Sequence, residues 1–408
     1  MRGDWTDLFS GRARAIRPSA IRAMAKYLGE PGVISFAGGS PDPRYFPADE
    51  IAATAADILS APERRRQALQ YGASEGYLPL REFLSGELTA RHAPVGADEI
   101  IVTSGSQQAL EFLGKTFLDA GDRIVVSNPT YIGALQAFSL FAPEIASVST
   151  STAGLDLDVL DGALKRGAKF LYLMPDYANP TGQSLSMEDR LAVLNLAARH
   201  RTPIVEDQAY EHLLISGERM PSLLRLAQSH PQRPDIIHVG TFSKSLMPGL
   251  RVGWIAAATP LITKLVAIKQ ASDLNSSCLN QMIVHDVAKE IFANRAETLA
   301  QAYRLKRDAT LNALSQYMPN GIEWTRPTGG MFVWLTLPAG VDTTAIQMRV
   351  FEKAKVLYVP GASFHPNGGG ENTIRLSYSL NDPEQIESGI RRLADALSAV
   401  MADDAVSA

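Results

Sequence analysis

The sequence predicts an α/β protein with a mostly parallel sheet flanked by helices, joined to a smaller α+β domain. Three observations carry this reading. Short apolar runs of strand length alternate with helix-length periodic segments through the middle of the chain. The texture then turns mostly helical over residues 261–318, and strand and helix patterns return beyond it. A chain of 408 residues is long enough to give each unit its own core.

In chain order, the amino-terminal segment carries Arg2, Arg12, Arg14, Arg17 and Arg22, which raises an organelle transit peptide. Asp4 and Asp7 count against one, and no apolar signal core follows, so a cytoplasmic location is expected. Ser104-Gly105-Ser106-Gln107 opens a helix over 107–118. The uncharged stretch 124–143 contains Ser127-Asn128-Pro129-Thr130, which would interrupt a membrane helix; it reads as strand, turn and helix. Phe170-Leu171-Tyr172-Leu173, Ile204-Val205 and Ile236-Ile237-His238-Val239 have the composition of buried strands, like Ile124-Val125-Val126 before them. Ser186 is placed to cap a helix over 187–200, with Asp189 where a capping box prefers Glu or Gln. Later come a strand over 331–337, a helix over 343–354, a strand over 373–379 and a closing helix over 383–400. The expected division is 1–45 as a segment packing on the small domain and the site, 46–300 as the large domain and 301–408 as the small one.

Composition narrows the function. A net charge of −4 gives no reason to expect a nucleic-acid or acidic-membrane surface. The single cysteine, Cys278, excludes an intrachain disulfide and a cysteine-rich zinc cluster, so no metal is expected.

Ligands of open α/β sheets gather at the carboxyl ends of strands, and reactive residue types stand at several such ends here. "PIVEDQAYEHL" gives Asp207 and, three residues on, Tyr210; "LMPDYANPTGQ" gives Asn179. Ser106 and Gln107 begin a helix, where small residues and free N–H groups suit a phosphate. "TFSKSLMPGLRVGW" sets Lys244 between two serines, with Arg251 seven residues later. Read singly, Asp207 also serves as a helix cap, Asn179-Pro180-Thr181-Gly182 as a turn, Ser106 as an N-cap and Arg251 as a surface charge.

Taken together, S-K-x-x-x-P-G-L-R-x-G over Ser243–Gly253, N-P-T-G upstream and Asp-x-x-Tyr between resemble the fold type I pyridoxal 5′-phosphate enzymes. Within these the chain is similar to the class I/II aminotransferases, and nearest to their 2-aminoadipate/kynurenine branch. The resemblance runs from about Pro18 to Leu397. It implies that Lys244 holds the cofactor as an aldimine and then serves as the acid and base at the substrate Cα. Asp207 would face the pyridine nitrogen, Asn179 and Tyr210 the ring hydroxyl, and Tyr131 the ring face. Ser106, Gln107, Ser243, Arg251 and Thr241 would hold the phosphate. Tyr71 would reach the phosphate of a neighbouring subunit, which implies a homodimer with shared sites. Arg375, in "NTIRLSYS", would bind the substrate α-carboxylate with Asn179 and Gly39.

Near the amino terminus, "IRPSAIRAM" is similar to the P-S-x-I-R segment of the same branch. There Arg22 would meet the distal carboxylate of glutamate or 2-aminoadipate; a surface arginine at a helix start is the other reading. The sequence departs from the pattern at Ser40, where leucine is common, and at Tyr177-Ala178, where Phe-Gln is commoner. The implied activity moves an amino group from an L-amino acid to a 2-oxo acid such as 2-oxoglutarate, with 2-aminoadipate, glutamate, and aromatic or branched apolar amino acids as donors. Two alternatives stand beside it. One is a lyase or decarboxylase on the same fold. The other is a ligand-sensing regulator domain, against which weigh a fold beginning near residue 18, the negative charge and the lack of a basic recognition helix.

Overall fold

The computed structural model describes residues 5–16, 25–151 and 154–407. Its large sheet has eight strands, in spatial order Ile100–Thr103, Gly253–Ala256, Ile236–Thr241, Ile204–Asp207, Leu171–Leu173, Arg123–Asn128, Glu144–Ser151 and Gly154–Leu155. Neighbours from Ile236–Thr241 across to Glu144–Ser151 pair in parallel. Gly253–Ala256 runs antiparallel to both of its neighbours, and Gly154–Leu155 is an antiparallel edge. The sheet is therefore mixed at its margins and parallel in the middle.

Alternation along each strand feeds two layers. Val125, Leu171 and Ile204 pack with Leu160 and Leu194 of the helices Leu157–Lys165 and Met187–His200. Val126, Tyr172 and Val205 belong to the opposite layer with Leu110, Leu113 and Phe138. Burial on both faces explains why these strands read as continuous apolar runs rather than as alternating ones. The cap at Ser186 forms as its spacing predicts: its Oγ accepts from Asp189 N–H at 3.0 Å.

After Thr259–Gln270, the turn through Leu274 leads into Cys278–Tyr317, a helix of 40 residues that runs unbroken past position 300. Four antiparallel strands follow, ordered Glu323–Trp324, Phe332–Thr336, Thr373–Ser377 and Val359–Pro360. The amino-terminal part joins this unit through Ile34–Ser35, which pairs in parallel with Val356–Leu357. Its next residues, 36–39, thus run between the small sheet and the carboxyl end of the large one. The closing helix is Pro383–Ser407. No helix among the described residues is long and apolar enough to cross a membrane.

Candidate active site

Asp207 is the last residue of its strand and is 1% exposed. Tyr172 on the neighbouring strand donates its hydroxyl proton to Asp207 Oδ2 at 2.8 Å, and Ala209 N–H donates to Oδ1 at 3.2 Å. The second bond closes a turn, so Asp207 does not cap a helix. Burial pushes its carboxyl up to about 6 against the opposing pull of these bonds. A cation placed against Asp207 would reverse that shift, as the protonated nitrogen of a pyridine ring does.

Lys244 follows the strand Ile236–Thr241, and its Nζ donates to the Gly39 carbonyl at 2.8 Å. Burial, then the charges of Arg251 and Arg375, lower its ammonium to about 8. An amine so poised reacts with an aldehyde at neutral pH more readily than an ordinary lysine. Tyr210 lies across it, with the ring centroid 5.9 Å from Nζ. The Tyr210 phenol is raised by burial and by Tyr131, and a hydrogen bond with Asn179 pulls the other way.

An anion cup lies beside the lysine. Gly105 caps the helix Ser106–Phe117 with φ +79° and without a side-chain cap, which leaves first-turn N–H groups free. Ser106 is therefore the first helical residue rather than the N-cap. A Cβ on Gly105 would run into the Arg251 guanidinium, so glycine is needed for both backbone and space. Arg251 Nη1 donates to Ser243 Oγ at 3.2 Å and Nη2 to the Ser104 carbonyl at 3.4 Å. Thr241 Oγ1 is 3.0 Å from Ser243 Oγ. Gly253 also permits the close approach, because a Cβ there would meet Ser106 N at 2.8 Å. The Gln107 side chain turns away and donates to the Gly133 carbonyl at 2.7 Å, which leaves its backbone N–H for the cup.

Arg375, on the small sheet, is 1% exposed. Its Nη1 donates to Asn179 Oδ1 at 2.9 Å and its Nη2 to the Ala37 carbonyl at 2.5 Å, while Nε has no hydrogen-bond partner. The guanidinium lies 4.5 Å from the Phe332 ring centroid and 5.1 Å from that of Phe364. Burial lowers it to about 10. Tyr131 is half-buried, and burial followed by the Asp207 charge pushes its phenol up to about 12.

The structure thus gathers Lys244, Asp207, Tyr210, Asn179, Tyr131, Thr241, Ser243, Arg251, Ser106, Arg375 and Gly39 around one place. Tyr71 does not join them within one chain: it is 79% exposed. Arg22 lies outside the described residues. Sequence reasoning passed over Tyr172, Phe332, Phe364 and the Ala37 carbonyl. For Tyr172 the signal was its place in a strand adjacent to the one ending at Asp207. The donor set fits a phosphorylated pyridine aldehyde: an amine, a buried carboxylate, and a cup of N–H groups, hydroxyls and a guanidinium.

The model of the aminotransferase class I and II family matches residues 33–393. The 2-aminoadipate transaminase of Thermus thermophilus is 43% identical over 98% of both chains. The crystal structure of α-aminoadipate aminotransferase from Thermus thermophilus, complexed with N-(5′-phosphopyridoxyl)-L-leucine, superposes with a TM-score of 0.90 at 42% identity, over 98% of this chain and 99% of that one. Pyrococcus horikoshii kynurenine aminotransferase gives 0.91 at 35% identity, over 97% of this chain and 98% of that one. With its lysine, carboxylate and anion cup brought together, and a match that spans nearly its whole length, the chain belongs to the class I and II aminotransferases: a fold type I enzyme that uses pyridoxal 5′-phosphate.

Proposed function

We propose that the enzyme moves the amino group of 2-aminoadipate, glutamate, or an aromatic or branched apolar L-amino acid to a 2-oxo acid such as 2-oxoglutarate. One observation carries this reading. Arg375 is a buried guanidinium with an unpartnered Nε, and the segment holding Ala37 and Gly39 links it to Lys244. A substrate carboxylate taken by Arg375 brings its Cα toward Lys244. The Thermus thermophilus and Pyrococcus horikoshii relatives support the choice of donors.

When bound, pyridoxal 5′-phosphate supplies an electron sink for the carbanion at the substrate Cα. The chain's residues then divide the remaining work. Lys244, with its lowered proton affinity, would hold and move the proton taken from the substrate Cα. Asp207 would keep a negative charge against the ring nitrogen, and the hydroxyl of Tyr172 holds that carboxylate in place. Asn179 and Tyr210 would hydrogen-bond the ring hydroxyl, and Tyr131 would lie on the ring face. Arg251, Ser243, Thr241 and the N–H groups of Ser106 and Gln107 would hold the phosphate. Arg22 would pair with a distal carboxylate when the substrate has one. Residues 46–300 form the cofactor domain and 301–408 the smaller one, with 1–45 packed on the site; two chains act as a dimer in the cytoplasm.

A panel of amino donors in isolated half-reactions tests the proposal. Arg375→Ala should weaken every donor, because all share the α-carboxylate. Arg22→Ala should weaken only the acidic ones, by about ten- to a hundredfold for a lost charge-assisted hydrogen bond. Release of carbon dioxide or loss of a β-substituent as the main reaction would instead favour a decarboxylase or lyase.

A further inference from the structure

A second cluster of titratable groups occupies the side of the sheet away from Lys244. Glu206 and His238 are cross-strand neighbours and both are 0% exposed. Because side chains alternate, they face the layer opposite to Asp207. His92, which follows the helix Leu78–Arg91, and Glu211, in the turn beyond Asp207, meet them there. His92 Nε2 lies 3.0 Å from Glu211 Oε2, and His238 Nδ1 lies 3.6 Å from Glu206 Oε2. The two imidazole centroids are 5.0 Å apart. His92 Nε2 thus has the Glu211 carboxylate as its partner, whereas neither ring nitrogen of His238 makes a hydrogen bond, its Nδ1 standing 3.6 Å from Glu206. A buried ring nitrogen left this way is costly.

We propose that His92, Glu211 and His238 form a structural site for a zinc-class divalent cation, separate from the cofactor. One ligand atom from each lies within 4.8 Å of the others, and among the described residues no other group of three does so. Two neutral imidazoles and a carboxylate are a donor set that suits zinc. With Glu206 beside His238, two carboxylates balance the charge of the ion. Behind His92, Ser222 Oγ is 2.8 Å from Nδ1, a contact that fixes the ring and its tautomer, while Glu206 stands 3.6 Å from His238 Nδ1. A cavity of about 10 Å³ touches His92, Glu211, Gln208 and Ser222, and Gln208 Oε1 has no partner. That is about the volume of one water, on the His92 and Glu211 side of the cluster. The other Glu211 oxygen, Oε1, is 3.2 Å from His212 Nε2. The ion would tie the end of one helix and a central strand to the turn that carries Tyr210.

The cofactor-loaded protein is dialysed against a chelator, equilibrated with zinc chloride, desalted and analysed for metal. The expected result is about one zinc per chain, with a higher Tm than the dialysed protein. X-ray absorption at the zinc edge should report two imidazoles and oxygen. His92→Gln and Glu211→Gln should each retain at least tenfold less zinc. If the wild-type protein retains no zinc, the proposal fails. Equal retention by both variants, or an absorption spectrum without imidazole, would place the metal elsewhere and overturn it as well. If both variants misfold, the wild-type spectrum alone decides.

Discussion

Asp207 holds its carboxyl where ionisation is unfavourable until a cation arrives. In the cofactor-free protein its proton affinity is raised from the usual 3.8 to about 6 by burial. The folded protein therefore binds that proton more tightly than the unfolded chain does. The ionised group costs stability increasingly as pH rises from about 4 to 6, reaching about 3 kcal/mol for a shift of about two units. Cofactor-free Asp207→Asn should accordingly be more stable than wild type at pH 7, with the gap closing below pH 4. Denaturant melts at both pH values check this. The loaded enzyme should behave oppositely: Asp207→Asn should lose about a hundredfold or more in the rate of Cα proton removal, read in single-turnover spectra with an amino acid. An unchanged rate would leave Asp207 a merely structural residue. Lys244, Asp207 and Arg251 were legible because their types and spacings are dictated by the chemistry. Tyr172 was not, since its bond to Asp207 depends on which strands become neighbours.

The helix Ser106–Phe117 and the turn through Arg251 meet only because glycine stands at 105 and 253. Gly105→Ala would place a Cβ against the Arg251 guanidinium at a backbone angle of φ +79°. Strain of about 1–2 kcal/mol at such a residue, with the arginine displaced, should weaken cofactor binding by about tenfold or more. Arg251→Lys keeps the charge but loses the fork, and should weaken it similarly. Fluorescence titration of the cofactor-free protein measures both; unchanged affinity would show that the phosphate is held elsewhere. The central strands and the helix Met187–His200 were legible because their apolar runs and cap are local features. The direction of Gly253–Ala256 was not. An apolar run looks the same in either direction, and the antiparallel return from Ile236–Thr241 is set by the turn between the two strands, where Arg251 has φ 52°.

At the scale of the whole molecule, one chain leaves an apolar surface near its own anion cup. Leu69, at the end of the helix Pro62–Leu69, is 67% exposed, Tyr71 79%, and Leu78, at the start of Leu78–Arg91, 49%; Gly72 of the loop between the helices fits closely against Cys278. Ser276, two residues before Cys278, is 3.3 Å from Ser104 through their hydroxyls, and the Ser104 carbonyl binds Arg251. The loop is thus mounted behind the cup but does not enter it. A second copy covering this surface would bury the apolar side chains and bring Tyr71 to the opposite phosphate site. Activity should then be recoverable from an inactive Lys244→Ala parent and a severely impaired Tyr71→Ala parent. Lys244→Ala lacks the amine, and Tyr71→Ala would lack the phosphate contact given across such an interface. In a mixed dimer, the site with an intact lysine receives Tyr71 from the Lys244→Ala chain and is complete; the other site carries both defects. Random exchange of equal amounts should make about half of the dimers mixed, each with one working site, so activity should rise toward about a quarter of wild type. Subunit exchange in mild denaturant, followed by assay, reads this directly, with sedimentation confirming a dimer at the working concentration. No gain over the parents after proven exchange would mean that Tyr71 acts within its own chain or not at the site.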